Sequence, residues 1–150
     1  MTPVETHLYD YLKEVFDASA SASVLSQLEL HDTVHQKIGK TAGVRISEAV
    51  GTLAAGPGGG LKEMDVDIIL VCFAKVEGKD KRQRQDALGK VFEIESEVAK
   101  LFINDPTMGS RVCDVLVRRS SRGYDVLDGE PYAVANVPLL VNPSGARYTE

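Results

Sequence analysis

The stretch GPGGGLKEMDVDIILVCFAKV, residues 56 to 76, decides how the chain is read. In its second half Val66, Ile68, Leu70, Cys72, Ala74 and Val76 fall on one side of a strand, with Asp65, Asp67, Ile69, Val71, Phe73 and Lys75 on the other. Both sides are apolar in the middle, so the strand belongs at the centre of a sheet and needs a cover on each face. An apolar run from Val44 to Ala55 precedes the glycines. The two runs are expected to pair as a hairpin around a long glycine-rich loop, at about residues 55 to 64.

One cover follows directly. Ala87, Val91, Ile94, Val98 and Leu101 recur at steps of four and three, which predicts an amphipathic helix from about Arg82 to Phe102. Asn104-Asp105-Pro106 stops it. Further strands are expected at Val112 to Arg118, around Tyr124 to Leu127 and from Tyr132 to Val141, with Asp128-Gly129 as a two-residue hairpin turn. Pro138 marks the last strand as an edge or as the site of a bulge.

Toward the N-terminus, Thr2 as N-cap, Pro3 at the first helical position and Glu5 three residues after the cap announce a helix. Leu8, Leu12 and Val15, flanked by Tyr11 and Phe16, give it an apolar stripe ending near Asp17. ASASAS, Ala18 to Ser23, reads as a linker or surface loop, and Val24 to Ile38 fits strand or helix equally. Helix, strands, helix, strands is the order of an α+β domain with a mainly antiparallel sheet.

A chain of 150 residues with 43% hydrophobic and 26% charged residues fits one domain with a single core. No apolar run spans a bilayer and the first residues do not read as a signal peptide, so a cytoplasmic protein without membrane contact is expected. Cys72 and Cys113 sit in strand-like apolar runs and are expected to be reduced and buried. The net charge of −5 excludes wholesale coating of nucleic acid but leaves room for a local basic patch.

Three constellations suggest chemistry. Asp65 and Asp67 point the same way on a strand, and with Asp114 on a neighbouring strand they could hold Mg²⁺ for phosphoryl transfer. Gly51-Thr52, thirteen residues before Asp65, stands where polymerase-beta-like nucleotidyltransferases carry a Gly-Ser pair. Against this, Gly51 lies in a strand-like run, and Lys62 is the loop's only cation. Solvated strand-end carboxylates are the default.

His31 and His35, four apart, could bind zinc on a helix, but no third ligand is evident and exposed histidines are expected. The basic clusters Lys79, Lys81, Arg82 and Arg84, and Arg118, Arg119 and Arg122, are candidate contacts to DNA phosphates or an acidic partner; solvated loops are the alternative. The first cluster opens a helix, where the macrodipole favours acids. The second is placed in a strand-to-strand turn.

The succession MDVDIILVCFAKV, RQRQDALGKVFEIESEVAKLF, NDPTMGSRVCDVLV, RGYDVLDGEPYAV and ANVPLLVNPSG, from Asp65 to Gly145, resembles the tail terminator and minor tail proteins of long-tailed bacteriophages. That resemblance implies a virion structural protein, not an enzyme, without cofactor or metal. Such a subunit forms a homohexameric ring that caps the tail tube and joins it to the connector or neck of the head. The lumen would touch DNA without sequence preference. The loop Gly58, Gly59, Gly60, Leu61 and Lys62 would then be a docking element that orders on contact.

Overall fold

A computed structural model describes residues 3–21, 23–31, 41–50, 53–55, 61–63 and 65–143. Helix α1, Pro3–Ala18, buries Val4, Leu8, Leu12 and Phe16 at the expected spacing. Its expected cap Thr2 lies outside the described residues. A 3₁₀ turn, Leu25–Gln27, then precedes strand β1, Glu29–His31. The undecided segment from Val24 therefore holds a short helical turn and a short strand, and its remainder, from residue 32, is not described.

The hairpin exists. Strand β2, Ala42–Val50, pairs antiparallel with β5, Val66–Lys75, and between them β3, Leu53–Ala55, pairs with β4, Leu61–Glu63. Leu61 and Lys62 are thus strand residues and not loop residues, while Gly58, Gly59 and Gly60 lie outside the described residues.

Helix α2, Lys81–Asn104, extends the expected span by a turn at most. Asp80 is its N-cap, and the Asp80 amide donates to Gln83 Oε1 at 3.2 Å. An acid within the basic run, between Lys79 and Lys81, therefore meets the positive end of the dipole, which eases the apparent conflict in that run. The buried stripe is Ala87, Val91, Ile94, Val98 and Phe102; Leu101 is only half-buried.

Beyond it, β6, Asp114–Val117, β7, Ser121–Leu127, and β8, Glu130–Asn142, complete a sheet of order β1-β2-β5-β8-β6, with β7 also on β8. Every pair is antiparallel except β1 with β2, so the fold is α+β with a mainly antiparallel sheet. Asp128 and Gly129, at φ 51° and 80°, close the β7–β8 hairpin as a two-residue turn of the primed kind.

Two expectations need correction here. Strand β8 is not an edge: it is hydrogen-bonded to β5 on one side and to β6 and β7 on the other. The bulge lies in the neighbouring line. Arg118 N–H donates to Pro138 O at 2.9 Å, and Ser121 pairs with Asn136, so Arg119 and Ser120 together oppose Val137. Since the N and C=O of one residue face the same neighbour, the amide that proline lacks is missing on the side where the ladder is already broken. Strand β2 is also irregular, between Ile46 and Ala49, so the ladders on both flanks of the β5–β8 pair break at nearly the same level.

The second correction concerns Cys113. It precedes β6 and is exposed, whereas Cys72 is buried as expected.

Both helices cover one face of the sheet. Their apolar stripes join Val44, Ile46, Val66, Ile68, Leu70, Val137, Leu139 and Val141 in one core, and Tyr11 of α1 meets Phe102 of α2 at 6.1 Å between rings. The other face carries no helix among the described residues. At one end Phe73 is fully buried against Tyr132 and Val134, with ring contacts to Tyr132 at 5.8 Å and His31 at 5.6 Å. At the other end the apolar side chains are open.

Candidate functional site

Cross-strand register places the open end of the helix-free face. Asp67, Leu140 and Leu116 stand level on β5, β8 and β6, as do Val66, Val141 and Val115 one residue along. The Val row is buried against the helices, so the Asp67 row and its alternates Ile69 and Asp114 face away from them. Ile69 is 39% exposed and Leu116 54%, with Leu140 half-buried between them.

Asp65 is exposed immediately before β5, and Asp114 is exposed at the start of β6. The three candidate carboxylates thus share a face, but β8 separates Asp65 from Asp114 by two strand spacings, about 10 Å. Asp67 instead meets Arg118 Nη1 at 3.7 Å, both side chains being more than half exposed. Among the described residues no three His, Cys, Asp or Glu side chains gather around a common point. Gly51 and Thr52 lie outside the described residues.

One arginine from each basic cluster, Arg84 and Arg122, lies along a seam between α2 and β7. Arg84 stacks over Tyr124 at 5.0 Å from its centroid, while the Tyr124 hydroxyl donates to Arg84 O at 3.1 Å. One strand step away, Arg122 lies 4.3 Å over Phe92 and donates from Nε to Glu95 Oε2 at 2.7 Å and from Nη2 to Oε1 at 3.2 Å. Arg122 is therefore a strand residue held to the helix, and not part of a turn. Arg118 begins the bulge and Arg119 lies within it, and Lys79, Lys81 and Arg82 are exposed around the start of α2.

Glu95, which the sequence did not single out, anchors the seam. Its residue is only 8% exposed, and the Ser120 hydroxyl of the bulge also donates to it. Burial pushes its carboxyl up, but the hydrogen bonds from Arg122 and Ser120, with the guanidinium charge, outweigh burial and leave its pKa below the ordinary value. A buried acid inside an amphipathic stripe (Ile94-Glu95) with an arginine on a later strand was the available signal, but only the register of β7 makes them partners.

His31 is buried, not exposed. Its Nδ1 accepts from Arg45 Nε at 3.3 Å, so the neutral ring carries its proton on Nε2, 3.1 Å from Glu29 Oε1 but out of line for a hydrogen bond. Arg45, itself buried, also lies 5.9 Å over Phe73. Nδ1 of His31 is thus engaged by Arg45 while Nε2 lies beside Glu29 without a hydrogen bond, and His35 lies outside the described residues. The Cys72 thiol is pushed up to about 12 by burial and the nearby Glu95 charge, which removes it as a nucleophile.

Near the start of α2, a cleft of about 320 Å³ is lined by Thr41, Lys75, Glu77, Gln83, Asp86 and Lys90 among others, a mixed-charge set with no convergent chemistry. No helix among the described residues is long and apolar enough to cross a membrane. The arrangement suits contact with another macromolecule through paired apolar and charged surfaces. No protein-family model and no curated protein matches the chain.

Proposed function

We propose that the chain is a virion structural protein, a ring-forming tail terminator or head-to-tail joining protein that caps the tail tube and docks it to the head connector. The observation that carries this reading is the half-open second face of the sheet. A subunit that buries Phe73, Tyr132 and Val134 on that face but leaves Ile69 and Leu116 in water is suited to a neighbour completing the cover. The segment that joins β3 to β4, with Leu61 and Lys62 on β4, is the docking element toward tube or connector. Basic side chains turned to the ring's lumen would touch passing DNA without sequence preference. The resemblance from Asp65 to Gly145 supplies the ring and its place in the virion.

Native mass spectrometry with negative-stain microscopy tests the reading. A closed ring, of six subunits, is expected at high concentration or on tail tubes. A strict monomer in both settings would sink it. The nucleotidyltransferase alternative draws no support from the split carboxylates, and Mg²⁺ with nucleoside triphosphate is expected to leave the melting temperature unchanged.

A further inference from the structure

Among the described residues six large apolar side chains are exposed, and five of them fall into two patches. The first is Ile69 and Leu116 on the helix-free face, rimmed by Asp65, Asp67 and Asp114, with Arg118 paired to Asp67. The second is the outer side of the α2–β7 seam, where Phe92, Tyr124 and Val126 are 41%, 44% and 66% exposed. Its charge is opposite. Lys81, Arg84, Leu88 and Phe92 recur at steps of three and four along one flank of α2, and Arg84 is laid on Tyr124. Glu95 on this flank is consumed by Arg122, and Asp80 caps the helix beside Lys81.

The patches lie on opposite faces of the sheet, toward opposite ends of the β6–β7 line. Leu116 stands on the face away from the helices, and Tyr124 pairs with Ala133 on the face that packs against α2. One subunit cannot bring them together, but two copies can. Their apolar parts match in kind and their rims match in sign, and aromatic and arginine side chains are the types that anchor protein joints.

We infer that these patches are the two halves of a head-to-tail joint between copies of this chain: the Ile69–Leu116 patch of one copy seats on the Phe92–Tyr124 seam of the next, Asp65 and Asp114 facing Lys81 and Arg84. The inference rests on the ring-forming reading and states which surfaces close the ring. A contact between two different patches repeats in one rotational sense, which is what a ring requires and a two-fold dimer does not.

Two double variants test it in the full chain. Lys81→Glu with Arg84→Glu makes the seam acidic, and Asp65→Lys with Asp114→Lys makes the other patch basic. Each variant alone then sets like charges against each other. The apparent dissociation constant of the assembly, read by analytical ultracentrifugation, is expected to rise about tenfold or more. Mixing the two in equal amounts restores opposite signs at both kinds of joint, so assemblies in which the variants alternate should return, resolved by native mass after isotope labelling of one. Circular dichroism identical to the parent chain shows that each variant is folded.

If the parent chain assembles and neither variant weakens it, or the mixture fails to reassemble, the inference is overturned while the ring reading stands. If the parent chain never forms a closed assembly, the ring reading itself has failed. Should the seam variant lose binding to a DNA oligonucleotide with its oligomeric state unchanged, the seam is a nucleic-acid surface and the inference is likewise overturned.

Discussion

At Glu95 a single carboxylate ties three elements together: it sits on α2, accepts from Arg122 on β7 and receives the Ser120 hydroxyl from the bulge. Its pKa is lowered on folding, so the stability it contributes is fully present above the ordinary glutamate value of 4.5 and is lost as pH falls through the folded value. Glu95→Gln should flatten the acid limb of a urea-denaturation series between pH 5 and pH 3. Glu95→Ala should cost about 1–3 kcal/mol at pH 7, because it leaves the Ser120 and Arg122 donors without their acceptor. The two cysteines separate by position in the same way. A disulfide reagent at pH 8 should modify Cys113 alone in the folded protein, and both thiols in denaturant.

At the scale of elements, two glycines do different work. Gly129 has positive φ and open space around it, so Gly129→Ala should lower stability by about 1–2 kcal/mol through backbone strain alone. A Cβ on Gly43 would stand 2.4 Å from Glu29 O and 2.7 Å from Phe73 Cζ. The Phe73 ring lies across the strand on a residue with no side chain, and Gly43→Ala should cost about 1–3 kcal/mol and loosen β1, seen as faster amide exchange at Leu30. Strand β5, the α2 stripe and the Asp128-Gly129 turn were legible in the sequence because each is a local pattern of period two, period 3.6 or turn chemistry. The interior position of β8 was not, since Pro138 reads as an edge until the bulge opposite it is known. The burial of His31 was missed for a related reason: it depends on Arg45 and Glu29 closing over it, contacts that no spacing records.

For the whole molecule, the decisive property is asymmetry between the sheet's faces. One is sealed by both helices; the other is sealed around Phe73 and open around Ile69 and Leu116. The doubly apolar centre of β5 made the need for two covers readable from sequence. It could not say that the second cover stops halfway, because that depends on which neighbours the register brings level. Leu116→Lys should leave the melting temperature of the isolated subunit unchanged within about 0.5 kcal/mol of stability while weakening self-association measured by ultracentrifugation. The candidate site was legible as charge clusters, yet their sorting was not: Arg122 proved to be tied to Glu95 of α2, and the three carboxylates lie exposed around Ile69 and Leu116.

The two-against-one step at Arg119 and Ser120 also bears on what happens before any assembly. A straight outer line from Asp114 to Leu127 would offer an unbroken row of free amides and carbonyls to any passing strand, the template from which fibrils grow. With the step in place, that row is split into two runs, Asp114–Val117 and Ser121–Leu127, and a bulge of this kind works against edge-to-edge pairing. Deleting Arg119 would restore a uniform register against β8. The deletion variant should retain its far-ultraviolet spectrum yet turn thioflavin-positive on standing, while the parent chain stays clear.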